Sequence, residues 1–247
     1  MDFEFLSPVD DKLLAHNLML PEQVLGRNLR IHTRQEGFPD LNGIGVAIAT
    51  VGSRLRNGES IHVRFRQQFY QLFSGNWDFI CADMGVLEPG ESPEDTLFAI
   101  QTLVKELHQR NILTIIIGGE QENTLGMFRG LSGLNTFVNL TSVDSHFDFG
   151  TEGVLVSDDS YMSKIITEKP NNLRQFTNLG YQSYYVSQEE LDLMQKLFFD
   201  AYRLGDICAD IEDQIMGLDN NERETFMKEI GLNKTGLNQL IKEGYDL

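Results

Sequence analysis

Ile112-Leu-Thr-Ile-Ile-Ile117 is a run of six uncharged residues that stops on Gly118-Gly119. A run this short, apolar and β-branched, closed by glycine, reads as a strand buried on both faces, which is the habit of parallel sheets. Three other stretches share its character: Gly43-Ile-Gly-Val-Ala-Ile-Ala49, Asp78-Phe-Ile-Cys-Ala-Asp83 and Phe137-Val-Asn-Leu-Thr-Ser-Val143. Helical patterns separate them. Ile61–Phe73 carries Val63, Phe65, Phe69, Tyr70 and Leu72 as its apolar members. Ser92-Pro-Glu-Asp95 opens a second helix with an N-cap serine, a proline in the first turn and acids behind it. Leu97, Ile100, Leu103, Val104 and Leu107 then recur at helical spacing to about Arg110. A third helix follows near Gln121–Leu131. Strands alternating with helices at this rhythm predict an α/β fold, a parallel sheet covered on both faces. The four strands are expected side by side, with Gly118 and Asp144 at one edge of the sheet.

Flanking elements are shorter. Leu13–Leu20 and Leu25–His32 suggest brief helical turns. Beyond Gly150, the pattern predicts a helix over Asp159–Thr167, a strand over Phe176–Val186 and a helix over Gln188–Phe199. That last helix turns Leu191, Met194, Leu197 and Phe198 inward.

Ligands of such sheets bind at the carboxyl ends of the strands. Gly118-Gly119 falls there, and so does Asp144-x-His146-x-Asp148. In an extended chain, side chains two apart share a face, so these three would converge just past their strand. Two carboxylates and an imidazole suit a divalent ion such as Mn²⁺ or Zn²⁺. The same letters also describe a polar loop whose aspartates cap the next element and whose histidine is solvated. Asp83, at a predicted strand end, reads as a turn residue or a site residue. His62 and His108 read as surface or packed histidines. Trp77, Phe65, Phe69, Phe73 and Phe79 read as core.

A formal charge of −17 over 247 residues excludes nucleic acid and an anionic membrane as main partners. It suits a small cationic substrate or a metal ion, and is compatible with a homo-oligomer. No run of about eighteen apolar residues marks a membrane span. Met1-Asp-Phe-Glu4 lacks the basic start of a signal peptide. Cys81 and Cys208 stand far apart in apolar runs, as reduced thiols of a cytoplasmic protein do, and they rule out a cysteine-based zinc site.

Three pieces, in order, resemble the ureohydrolase superfamily of arginase, agmatinase and formimidoylglutamase. Ile115-Ile-Ile-Gly-Gly-Glu-Gln-Glu122 resembles its strand followed by Gly-Gly-Asp-His, and Val143-Asp-Ser-His-Phe-Asp148 its Asp-Ala-His-x-Asp. Asp83-Met-Gly85 with Pro89-Gly90 and Asp95-Thr96 resembles the region before them. Asn171-Asn-Leu173, Gly180-Tyr-Gln-Ser-Tyr-Tyr185 and Lys196-Leu-Phe-Phe-Asp-Ala-Tyr-Arg-Leu-Gly205 narrow the likeness to the formimidoylglutamase-like branch of Bacteroidetes-type bacteria. The likeness spans about residues 1–205. It implies a three-layer α/β/α fold and a binuclear Mn²⁺ centre that hydrolyses a C–N bond of a linear amidine or guanidine. Asp144 would bridge the two ions, His146 would bind one and Asp148 the other, and Asp148 is the carboxylate assigned to catalysis. Gly118 and Gly119 would let the backbone pass close to the site.

Two departures bear on that centre. Gln121 stands where the family has its first histidine, and an amide is a poor ligand beside an imidazole. The family's later Ser-x-Asp-x-Asp strand, which would lie beside 138–143, has Cys208-Ala-Asp210-Ile-Glu212 as its nearest match. Asp210 and Glu212 are therefore weak candidates. Residues about 207–247 instead resemble a segment of YchF-type GTPases. The chain reads as a C-terminally truncated ureohydrolase-like domain, 1–205, joined to a helical tail, 206–247, of other parentage. No Gly-x-x-x-x-Gly-Lys-[Ser/Thr] occurs in the sequence, so nucleotide binding does not carry over with it.

Overall fold

The computed structural model describes residues 3–52, 60–75, 79–150 and 156–208. The elements in chain order are β1 (Leu6–Ser7), α1 (Asp11–Asn17), α2 (Leu25–Asn28), β2 (Arg30–Ile31), β3 (Ile44–Val51), α3 (Ile61–Phe69), β4 (Ile80–Leu87) and α4 (Pro93–Gln109). Then come β5 (Leu113–Ile117), α5 (Asn123–Ser132), β6 (Val138–Val143), α6 (Tyr161–Thr167), β7 (Leu173–Tyr181), α7 (Gln188–Lys196) and β8 (Asp200–Arg203). Strands and helices alternate as the sequence predicts, and the fold is α/β. Trp77, Asp210, Glu212 and all of the predicted helical tail beyond its first three residues, 206–208, which are helical, lie outside the described residues.

The chain divides into two compact units. The first comprises Met1–Leu140 with Asp148–Gln175, the second Thr141–Phe147 with the described residues from Phe176 onward. In the first unit the strand order is β1-β4-β3-β5, with β2 also on β4. β3 pairs in parallel with both β4 and β5, and β1 runs antiparallel to β4. Ala47, Ala49, Val51, Ala82, Met84 and Leu87 from this sheet pack with Ile100, Leu103, Val104 and Leu107 of α4. α4 starts where its cap predicts: Ser92 Oγ accepts the Asp95 N–H while the Asp95 carboxylate accepts the Ser92 N–H. α5 lies close against α4 because Gly126 and Gly130 face it. A Cβ there would come within 2.8 Å of Leu97 O and 2.9 Å of Gln101 O.

The expectation of four neighbouring parallel strands needs correction. β6 is not in the sheet of β3, β4 and β5; it belongs to a three-stranded sheet ordered β6-β7-β8. Its neighbour there is β7, the next strand of the chain after α6. The family strand expected beside 138–143 has its nearest counterpart past residue 208, outside the described residues. β5 is correspondingly an edge strand among the described residues, and Leu113 and Ile115 stay exposed.

Asp83 does not end its strand either. β4 continues to Leu87 through a bulge, in which Met84 and Gly85 stand between the pairs Ile48–Asp83 and Thr50–Val86. Gly85 has φ +93, and a Cβ there would collide with the backbone of Ser7. The Asp83 side chain is fully buried and meets Arg66 of α3, also fully buried, through two hydrogen bonds: Nε to Oδ2 at 2.8 Å and Nη2 to Oδ1 at 2.7 Å. Tyr70 Oη donates to Asp83 Oδ2 at 2.8 Å, and Gly85 N–H donates to Oδ1 at 2.9 Å. Arg66 also donates to Thr50 Oγ1 and to the carbonyls of Gly85 and His62. Burial by itself would lower the Arg66 pKa, but the Asp83 charge and its hydrogen bonds outweigh that and raise it. Burial and then the same carboxylate push the Tyr70 phenol upward.

The aromatic core assignments also change. Phe65 and Phe69 stack at 5.0 Å and are half-buried, whereas Phe73 and Phe79 are exposed. The buried side chains of this helical segment are Arg66 and Tyr70 instead. In α7, Met194 is buried, but Phe198, past the helix end at φ +58, is 86% exposed. Leu25–His32 is one helical turn and then β2, and β7 begins three residues before its predicted start, at Leu173 rather than Phe176.

Candidate functional site

The order β4-β3-β5 reverses direction at β3: the chain steps to one side for β4 and, through α4, to the other side for β5. Such a reversal leaves a crevice outside the carboxyl ends of the strands. A crevice of about 280 Å³ lies there, with Gly52 past β3, Gly119 past β5 and Ser92 at the start of α4 in its wall. Gly118 and Gly119 both have φ +80, and a Cβ on Gly119 would strike Val51 and the Asn123 side chain. The two glycines therefore make the tight turn that opens the crevice. Among the described residues, Glu91, Glu120 and Glu122 line it and no lysine or arginine does. Burial first, then the Asp158 charge, pushes the Glu122 carboxyl above the ordinary range. The helix ends nearby are already occupied by acids of this chain: Asp95 in the α4 cap, and Asp158, whose Oδ1 accepts the Glu122 N–H at 3.2 Å. The described part of its wall is thus acidic. Sequence reading missed these glutamates, although all three flank the glycine turns that marked the strand ends. Gln121 is exposed, and its carbonyl accepts the Thr124 N–H.

The second unit carries Asp144 and His146. β6 ends at Val143, and the chain bends at Asp144-Ser145. Asp144 Oδ1 accepts the His146 N–H at 3.0 Å, closing a turn in place of an extended strand. His146 Nδ1 stands 3.6 Å from Asp144 Oδ1 and 2.8 Å from Ser145 Oγ. Neighbouring residues fix this turn from several directions. Asp144 N–H donates to Leu179 O, Gln182 N–H donates to Ser145 O, and Asn178 Nδ2 donates to His146 O at 2.8 Å. The Tyr185 ring lies 5.1 Å from the imidazole. Asn178 is fully buried on β7 and was not anticipated from the sequence.

Asp148 falls in the first unit, 8% exposed, with φ +57, a conformation aspartate tolerates better than most residues. Among the described residues no group of three or more His, Cys, Asp or Glu side chains is arranged to hold a metal ion. No helix among them is long and apolar enough to cross a membrane.

A family model of the arginase family matches residues 50–220, more than half of the chain. This chain belongs to the arginase family. Its fold is similar to that of Trypanosoma cruzi formiminoglutamase crystallised with Mn²⁺, at a TM-score of 0.60 and 16% identity, covering 77% of this chain and 69% of that one. The formimidoylglutamase of Bacillus subtilis gives a TM-score of 0.55 at 13% identity, over 65% of this chain and 55% of that one. The arginase of Medicago truncatula gives 0.55 at 16%, over 68% and 59%. At these identities the likeness is one of fold. A different relationship appears over 41 residues. There the chain is 49% identical to the ribosome-binding ATPase YchF of Escherichia coli O157:H7 and 44% identical to that of Bacillus subtilis, over 17% of this chain. That match spans 11% of either relative's length. It has the length expected for the tail, since 207–247 is also 41 residues.

Manganese, present in the Trypanosoma neighbour, can be tested against the donors described above. Two ligands held about 2.1 Å from one ion stand no more than about 4.2 Å apart. The 3.6 Å between Asp144 Oδ1 and His146 Nδ1 fits one ion. A binuclear centre needs further carboxylates, and the described residues do not fit one.

Proposed function

We propose that this chain is a ureohydrolase-type domain for a linear amidine or guanidine. Its metal centre is incomplete, binds at most one divalent ion through Asp144 and His146, and supports little or no turnover. The observation that carries this reading is the Asp144–His146 pair, 3.6 Å apart at the end of β6 in an arginase-family chain, with an amide at position 121 where the family resemblance expects an imidazole. Asp148 belongs to the motif and would act as third ligand and catalytic carboxylate in a complete centre. The 41-residue YchF match supports a fusion origin for the tail, and with it the second reading, a remnant without turnover.

Purified full-length protein should be dialysed against Mn²⁺, its metal content measured, and its turnover assayed with formiminoglutamate, agmatine and arginine. The reading expects at most one Mn²⁺ per chain and negligible product. Two ions per chain with robust turnover abolished by His146→Ala would establish a working enzyme and overturn it.

A further inference from the structure

Ser145 sits between the two donors. Its Oγ is 2.8 Å from His146 Nδ1 and 3.4 Å from Asp144 Oδ1. The same Asp144 oxygen already accepts the His146 N–H. Either direction of the hydrogen bond between Ser145 Oγ and His146 Nδ1 blocks a metal ion: if Nδ1 accepts the hydroxyl hydrogen its lone pair is engaged, and if Nδ1–H donates to Oγ the nitrogen carries a proton where the ion would sit. Of the two ring nitrogens, Nδ1 stands 3.6 Å from the Asp144 oxygen, within the span that two ligands of one ion allow. The nitrogen suited to chelation with Asp144 is therefore the one that Ser145 occupies. The backbone of the turn is held from outside by the bonds from Asn178 to His146 O and from Gln182 to Ser145 O, which keeps Ser145 beside the imidazole. In the family motif quoted above, the residue between the aspartate and the histidine is alanine, which has no hydroxyl.

We infer that Ser145 competes with a divalent ion for its ligands: its hydroxyl is hydrogen-bonded to Nδ1 of His146, so a metal ion must displace a formed hydrogen bond to bind. This rests on the reading of Asp144 and His146 as the metal donors, and it gives one local cause for the incompleteness of the centre.

The test is a Mn²⁺ titration of the full chain, read as free Mn²⁺ by electron paramagnetic resonance, for the parent, Ser145→Ala, Ser145→Thr and His146→Ala. Far-UV circular dichroism verifies that each variant is folded. One neutral hydrogen bond sets the scale, so Ser145→Ala should bind Mn²⁺ between about twofold and tenfold more tightly than the parent. Ser145→Thr keeps the hydroxyl and should bind like the parent, while His146→Ala should lose about tenfold or more. If Ser145→Ala binds no more tightly while His146→Ala loses affinity, the competition by Ser145 is overturned and the donor assignment stands. If His146→Ala binds as the parent does, or no protein binds at millimolar Mn²⁺, the donor assignment is overturned and the inference falls with it.

Discussion

Replacing Asp83 by asparagine tests the physics of the first unit most directly. The substitution keeps the shape of the side chain and removes its charge. Arg66 is fully buried and donates hydrogen bonds to both Asp83 oxygens, to Thr50 Oγ1 and to the carbonyls of His62 and Gly85. In Asp83→Asn, the guanidinium keeps its neutral partners but has no counter-charge within the sheet. The new amide must also point its own hydrogens at Arg66, or at the Gly85 N–H and the Tyr70 hydroxyl that now donate to Asp83. Removing one partner of a buried pair costs about 3–5 kcal/mol. A domain of this kind has about 5–15 kcal/mol in total. With a urea dependence of about 2 kcal/mol per molar, the midpoint should fall by roughly 2 M, measured by circular dichroism. Replacing the set by apolar residues, Arg66→Met with Tyr70→Phe and Asp83→Leu, should recover most of that loss, because the desolvation penalty leaves with the charges. A cost for Asp83→Asn below about 1 kcal/mol, the level of an exposed pair, would refute the reasoning.

Two further perturbations follow from the packing. Gly126→Ala and Gly130→Ala each gain about 1 kcal/mol in helix propensity, yet the new methyl meets the fixed carbonyls of Leu97 and Gln101. Both should lower the thermal midpoint, by about 1–3 kcal/mol of overpacking net of that gain, and a raised midpoint would show that α5 can shift off α4. Burial lowers the pKa of His32 and of His62 below the ordinary 6.5. As pH falls through 6.5 the unfolded chain takes up these protons before the folded one, so stability is full above that pH and declines below it. His32→Gln should weaken the drop in thermal midpoint between about pH 7.5 and pH 5.5; an unchanged slope would acquit His32.

What could be read from the sequence was what neighbouring residues decide together. Ile112–Ile117 and the Ser92–Asp95 box depend on few partners, and both formed within a residue or two of their predicted limits. Arg66 was illegible because an arginine on a helix normally faces water, and nothing beside it announces a carboxylate 17 residues ahead. The Phe-rich stretch misled through its element limits: the pattern ran the helix on to Phe73 and began the strand at Asp78, whereas α3 ends at Phe69 and β4 starts at Ile80, which leaves Phe73 and Phe79 outside both. Asp144, His146 and Asp148 were placed by assuming an extended chain. Asp144 instead folds back onto the His146 N–H, a competition between side chain and strand that aspartate wins readily at a strand end. The exchange of β6 into a second sheet depends on pairings between distant segments, which spacing does not encode.

Thr50, His62, Arg66, Tyr70, Asp83 and Gly85 all come from the single stretch of chain that runs from β3 through α3 to β4. The widest hydrogen bond in the group, from Thr50 Oγ1 to Gly85 O, spans only 35 residues. Low sequence separation keeps the loop-closure entropy small, so this βαβ unit can assemble early, before α4 and β5 cover it. Its amides should therefore be among the slowest of the chain to exchange with solvent deuterium, as a cooperative folding unit of its own. A foldable seed of this sort tolerates change downstream: substitutions beyond Leu87 alter what the domain can do before they alter whether β3 and β4 pair.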